Sequence, residues 1–393
     1  MSWTLSRFRA GDLVEVRSKE EILATLDERG CVERMPFMPE MLKYCAKRFR
    51  VSAVAHKTCD TVHKTGGRRL QTTVHLAGLR CDGSAHGGCQ ADCNLFWRDE
   101  WLKPVGGAAG DPTSPNAPSG GCSDEQFLAS VRRLGGAAGE EPRYACQATA
   151  LHDATKLLRW WDLRQYVYDA RTGNHSLGRT LRVLSLGMFR RLLRTPVGYR
   201  LMKLVNDVAH RLLTGRPTPD IHGKVGPGSP TPTGQLTLKP GDRVRIKSQA
   251  EIEKTVDKHG KNRGLSFDPE MVPFCGKVVT VRGCVSQILD ERTGKMVQMK
   301  QPCIILEGIV CNAEYSQCRL MCPRAIPSYW RELWLERVDQ PGAEPEDNDY
   351  VSGNLAPAPH GEGRQTCSDP RESDLQSVGS RINLDMISSS IGV

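Results

Sequence analysis

Fifteen cysteines punctuate the chain, and eight of them fall into two matched sets. Cys45, Cys81, Cys89 and Cys93 make the first; Cys275, Cys311, Cys318 and Cys322 make the second. In each, one distant cysteine joins a cluster of three, spaced C-x7-C-x3-C in the first set and C-x6-C-x3-C in the second. Four thiolates are the number a tetrahedral structural Zn²⁺ takes, and soft sulfur suits zinc. The same sulfurs can hold an iron–sulfur cluster, which is the alternative. The plainer reading is packing, since free cysteine is often buried without any ligand. Neither spacing contains the tight C-x2-C knuckle.

Other residues near these sulfurs carry chemistry of their own. His56, His63, His75 and His86 lie close in sequence to Cys59 and Cys81. His56-x-x-Cys59-Asp60 invites a nucleophile–base reading. Nothing in the second set repeats it, because Ser286 and Leu289 stand at the aligned places, so surface or structural roles are favoured. Pro39-Glu40-Met41 recurs unchanged as Pro269-Glu270-Met271. A buried glutamate there would orient metal ligands; the favoured reading is a shared turn whose Phe37/Phe267 and Met41/Met271 enter the core.

The elements that must position these residues are duplicated. Residues 11–51 and 241–281 align without a gap at an offset of 230, and 16 of the 41 positions are identical. The correspondence continues through Cys81 with Cys311, shifts by one at Cys89 and Cys93, and ends with Trp97 and Trp101 against Trp330 and Trp334. Within each copy, Gly-Asp followed by alternating apolar residues predicts a half-buried strand. Ser18-x-x-Glu21 and Ser248-x-x-Glu251 predict capping boxes that open a short helix. That helix is read to about Asp27 and Asp257, with Gly30 and Gly260 as its C′ glycines. Further strands are expected at Arg48–Val54, Thr72–Leu79, Lys277–Val285 and Cys303–Val310. The expected fold is α+β: two duplicated small, mostly β domains of SH3-like barrel type, joined by a basic helical segment.

Composition divides the chain. The first Cys-rich repeat domain spans 8–105, and a Gly/Ala/Ser/Pro-rich flexible linker covers 106–142. A basic amphipathic helical segment covers 143–216, and a Pro/Gly linker 217–237. The second repeat domain spans 238–338, and a disordered tail is expected at 339–393. The net charge of +9 is concentrated. Residues 156–216 hold thirteen Lys or Arg against three Asp, a net of +10. Arg179, Arg190, Arg191 and Arg194 gather on one side of a helical projection, with leucines on most of the other. Three readings compete: an anionic membrane surface, nucleic-acid phosphates, or a helical hairpin packed against the repeats with its arginines paired or solvated. The last is favoured.

Several strings carry a resemblance. Pro-Phe-Met-Pro-Glu-Met, His-Lys-Thr-Cys-Asp, Arg-Cys-Asp-Gly-Ser-Ala-His-Gly-Gly-Cys, Trp-Trp-Asp-Leu-Arg-Gln-Tyr-Val and Cys-Pro-Arg-Ala-Ile resemble segments of an uncharacterised group of bacterial proteins with duplicated Cys-rich, SH3-like repeats. The resemblance covers roughly residues 10–105 and 142–338. It implies a bacterial origin and brings no activity or catalytic residue with it.

No P-loop, GxGxxG, HExxH or GxSxG motif occurs, which removes several enzyme classes. No apolar run is long enough to span a bilayer, and the opening residues lack a signal peptide's apolar stretch. The expectation is a non-catalytic cytoplasmic scaffold, peripheral to the membrane in one version, whose zinc-stapled domains bind a protein partner. A nucleic-acid-binding regulator and an iron–sulfur or thiol redox enzyme are the alternatives.

Overall fold

The structure, a computed structural model, describes residues 3–63, 65–106, 121–133, 141–192, 199–215, 218–315 and 320–338. It is mixed α/β, built from several small antiparallel sheets with helices between them. The first copy runs β1 (Leu13–Val16), α1 (Lys19–Thr25), β2 (Arg48–Val54), β3 (Lys57–Cys59), β4 (Gly67–Arg69), β5 (Thr73–Leu76), β6 (Trp97–Arg98) and β7 (Leu102–Pro104). The middle holds α2 (Asp124–Val131), β8 (Lys156–Leu158), α3 (Arg164–Arg171), α4 (Leu177–Leu192) and α5 (Tyr199–Thr214). The second copy runs β9 (Arg243–Ile246), α6 (Gln249–Glu253), β10 (Val278–Leu289), β11 (Met296–Val310), β12 (Pro327–Trp330) and β13 (Leu335–Arg337).

The main sheets have matching strand orders, β6-β5-β2-β1-β7 and β12-β11-β10-β9-β13. Their registers match too. Val14 faces Phe49, and Val244 faces Val279, both at the 230-residue offset. Both capping boxes form as the sequence requires: Ser18 and Ser248 accept from the amides of Glu21 and Glu251, whose carboxylates return to the caps. Each sheet packs on an aromatic cluster, Phe37–Trp101 at 5.1 Å and Phe267–Trp334 at 5.7 Å, with edge-on rings.

Three expectations need correction. The sheets are open, because their outer strands do not pair with each other, so no closed barrel exists among the described residues. The helix of the first copy ends at Thr25 with Leu26 as its cap. Gly30 instead takes a left-handed turn (φ 70°) closed by Gly30 N–H on Asp27 O, and a Cβ there would meet Ser130 Oγ at 2.9 Å. Within the stretch read as a flexible linker, α2 carries Phe127, fully buried against Phe37. The Pro/Gly linker meets the second copy at its end, where Leu236, Thr237 and Leu238 N–H groups all donate to the Glu332 carboxylate. The tail at 339–393 lies outside the described residues.

The copies are not equivalent at their hairpins. β10 and β11 are 12 and 15 residues long, whereas the chain leaves β2 at Val54 and builds a small separate sheet in which β4 pairs with both β3 and β8. Asn174 holds that departure point, its amide exchanging two hydrogen bonds with the Val54 backbone (2.7 and 2.9 Å). The long hairpin reaches back over the first copy: Leu289 joins the first copy's core, and Gln90 Oε1 accepts from the amides of Ser286 and Gln287 (2.6 and 3.1 Å). Among the described residues, no helix is long and apolar enough to cross a membrane.

Candidate metal centre

The loop from Cys81 to Cys93 is closed at its neck by Cys81 N–H on Cys93 O at 2.8 Å. Inside it, His86 and Gly88 amides donate to Gly83 O (3.1 and 3.0 Å). Gly83 has φ 71°, and a Cβ there would lie 2.1 Å from Cys89 O. Only glycine permits that crossing of backbones. The winding turns His86 inward until it is 1% exposed. Glu40 arrives from the 3₁₀ turn Pro39–Tyr44, tethered on either side by buried Phe37 and Met41.

Three groups converge. Cys81 Sγ lies 3.3 Å from Glu40 Oε1 and 3.6 Å from His86 Nε2, and His86 Nδ1 lies 3.4 Å from Glu40 Oε1. An ion bound tetrahedrally by sulfur and nitrogen at ordinary zinc distances separates those ligand atoms by about 3.5 Å. Among the described residues, this is the group of three His, Cys, Asp or Glu ligand atoms that lie within 4.8 Å of one another. Glu40 Oε2 and His86 Nδ1 are buried without a hydrogen-bond partner, which is costly unless another ligand satisfies them. A cavity of about 30 Å³ beside the group is lined by Cys89, Cys93 and Cys146 as well, and by Leu289, Glu291 and Arg324 of the second copy.

Burial sets the protonation. It raises the Glu40 carboxyl, and it raises the thiol of Cys81 far above its usual range, helped by Cys93 and Glu40. It also raises Cys89 and Cys93, and pushes Cys146 up to about 12. The His86 imidazole is pulled down to about 4 by the same desolvation. With the imidazole uncharged at neutral pH, the 3.4 Å Glu40–His86 contact is not an ion pair, whatever its distance suggests. A cation entering here displaces protons from sulfur and meets an imidazole already neutral. Buried thiols that stay protonated are poor nucleophiles.

The structure therefore brings Cys81, Cys89 and Cys93 to one cavity. Cys45 is absent from its lining; it sits by Glu20 and Lys19 at α1, its thiol raised by burial. Cys275 is likewise beside Glu253, raised to about 11. Cys318 lies outside the described residues. Cys311 and Cys322 lie with Cys59, across the boundary between copies. His56 and Cys59 do not engage each other as a dyad: His56 Nε2 donates to Gln165 O at 3.1 Å, with Asp169 Oδ1 at 3.4 Å. His75 Nδ1 donates to Leu95 O, and His63 meets the His152 ring edge-on. Arg179 and Arg182 pair with Glu314 of the second copy at 2.9 and 3.6 Å. Arg190 and Arg191 fall in α4, and Arg194 lies outside the described residues.

Sequence reasoning missed Cys146. It sits in the middle segment, no repeat marks it, and only the packing of Gln147 against Phe96 and Pro36 backbone brings it in. No protein-family model matches the chain, and no curated protein does.

Proposed function

We propose that the chain is a metal-stapled, non-catalytic scaffold in which Cys81 and His86, with further sulfur from the cavity wall, hold a zinc ion. In this reading His86 Nδ1–H donates to Glu40 Oε1, which fixes the ring. The observation that carries it is the buried Glu40–Cys81–His86 group, whose spacing suits one tetrahedral ion. Its position, where the second copy's hairpin closes the first copy's cavity, makes the ion a staple between halves. The shared strand order, with a 3₁₀ turn before the last strand of each sheet, supports reading both halves as SH3-like units in open form. Twelve of the thirteen described cysteines are free and Cys284 is disulfide-bonded; the scheme places the chain in a reducing, cytoplasmic setting, where such a high share of free thiols is usual. The partner-binding face in this scheme is the exposed apolar stripe Leu204, Val208 and Leu212 on α5, at i, i+4, i+8 spacing.

Elemental analysis of protein purified without added metal and without oxygen tests the centre. Zinc, with the same one equivalent lost in Cys81→Ser and in His86→Ala, is the expected result. Iron with visible colour would replace the zinc reading by the cluster reading, and metal-free protein that takes up no Zn²⁺ would end both.

A further inference from the structure

The second copy repeats part of this centre with a different supporting cast. Glu270 and Cys311 occupy the places of Glu40 and Cys81, and Glu270 lies within electrostatic reach of the Cys311 thiol. No histidine follows Cys311 as His86 follows Cys81. What approaches instead is a sulfur from the first copy.

Hydrogen bonds on either side of Cys59 fix that approach. Lys57 Nζ donates to Leu320 O at 3.0 Å, and Arg324 Nη1 donates to Thr61 Oγ1 at 2.9 Å. Residues 57–61 thus run beside 320–324, which sets Cys59 opposite Cys322. The two thiols share a hydrogen bond. Two backbone bonds bring Cys311 to the same segment, Met321 N–H on Ala313 O and Cys311 N–H on Ile326 O, both 2.8 Å. Cys311 interacts with both other sulfurs. Buried cations flank the trio: Lys57 near Cys322 and Arg324 near Cys59. They offset the negative charge that three thiolates would carry around a divalent ion.

We propose that Cys59 of the first copy joins Cys311 and Cys322 of the second as a separate soft-metal site that clamps the copies together. The ligand class is a thiophilic divalent cation such as Zn²⁺, for which all-sulfur surroundings are well suited. The three sulfurs are not all within 4.8 Å of one another, so binding draws Cys311 inward by a side-chain rotation. This site stands on its own residues and fails separately from the Cys81 centre.

Full-length protein, stripped of metal and kept oxygen-free, is titrated with Co²⁺ and followed by sulfur-to-cobalt charge-transfer absorption. Wild type should take two equivalents, Cys59→Ser one, and Cys81→Ser the other one. Retention of both equivalents in Cys59→Ser overturns the proposal. If that variant fails to fold, alkylation of wild-type protein decides, with each cysteine mapped by mass. Zn²⁺ at 100 times its dissociation constant should slow labelling of Cys59, Cys311 and Cys322 together by about 100-fold. Unchanged labelling of Cys59, or a Cys59–Cys322 disulfide in oxygen-free protein that Zn²⁺ cannot prevent, also overturns it.

Discussion

Lys57 and Asp169 offer the sharpest test of how the parts are joined. The lysine comes from β3 and the aspartate from α3, and Nζ meets Oδ2 at 2.6 Å with both side chains almost wholly buried. Nζ also donates to Leu320 O of the second copy and lies 5.0 Å above the Tyr166 ring. Three regions therefore meet at one ammonium. Removing one partner of a buried pair strands the other charge, which costs about 3–5 kcal/mol, whereas replacing both by apolar groups is often nearly neutral. Lys57→Met and Asp169→Leu should each lose about that much, and the double variant should recover at least about 2 kcal/mol relative to their sum. Urea denaturation followed by tryptophan fluorescence measures this. The exposed Lys43–Asp82 pair provides the control: Lys43→Met should cost less than about 1 kcal/mol. Equal losses for the two lysine variants, or strict additivity at the buried pair, would show that this junction is not sealed from water.

Other outcomes follow from the same structure. His56, His75 and His86 have imidazoles held down to about 3, 4 and 4 by burial. The unfolded chain protonates near 6.5 while the fold does not, so their contribution is complete above pH 6.5 and is lost as pH falls. At pH 5 each costs about 2 kcal/mol. Urea midpoints should drop accordingly between pH 7 and 5, and less steeply in His75→Gln. Gly83→Ala should cost well over the roughly 1–2 kcal/mol of left-handed strain, because its Cβ meets Cys89 O. Gly78→Ala (φ 77°, open space) should cost only the strain, as paired urea melts would show. Phe127→Ala should cost about 3–5 kcal/mol if α2 belongs to the first core; a loss below about 1 kcal/mol, as for a solvated linker, would contradict its packing.

The local parts of this molecule are plain in the chain itself. Ser-x-x-Glu specifies both helix starts because the capping chemistry spans four residues, and the alternation after Gly-Asp specifies both first strands. The offset of 230 even carries the pairing of Val14 with Phe49 onto Val244 with Val279. What the chain hides are contacts that no period marks. Cys45 and Cys275 looked like ligands because both copies have them, yet they pack beside the first helix of each repeat. Cys146 and Cys59 looked unmatched because each reaches its sulfur neighbours through tertiary docking. Phe127 sits among Gly, Ser and Pro, so its neighbours' composition masked an eight-residue helix.

The overhanging hairpin also has a bearing on biosynthesis. Leu289, Glu291 and Arg324 wall the cavity of Cys81, Cys89 and Cys93, so the ribosome must add more than two hundred residues after the last of those cysteines before the wall exists. At about 5–20 residues per second that delay is roughly 10–50 s. Throughout it the nascent thiols face the cell's metal and oxidant pools directly, and whichever reaches them first decides what the finished chain encloses.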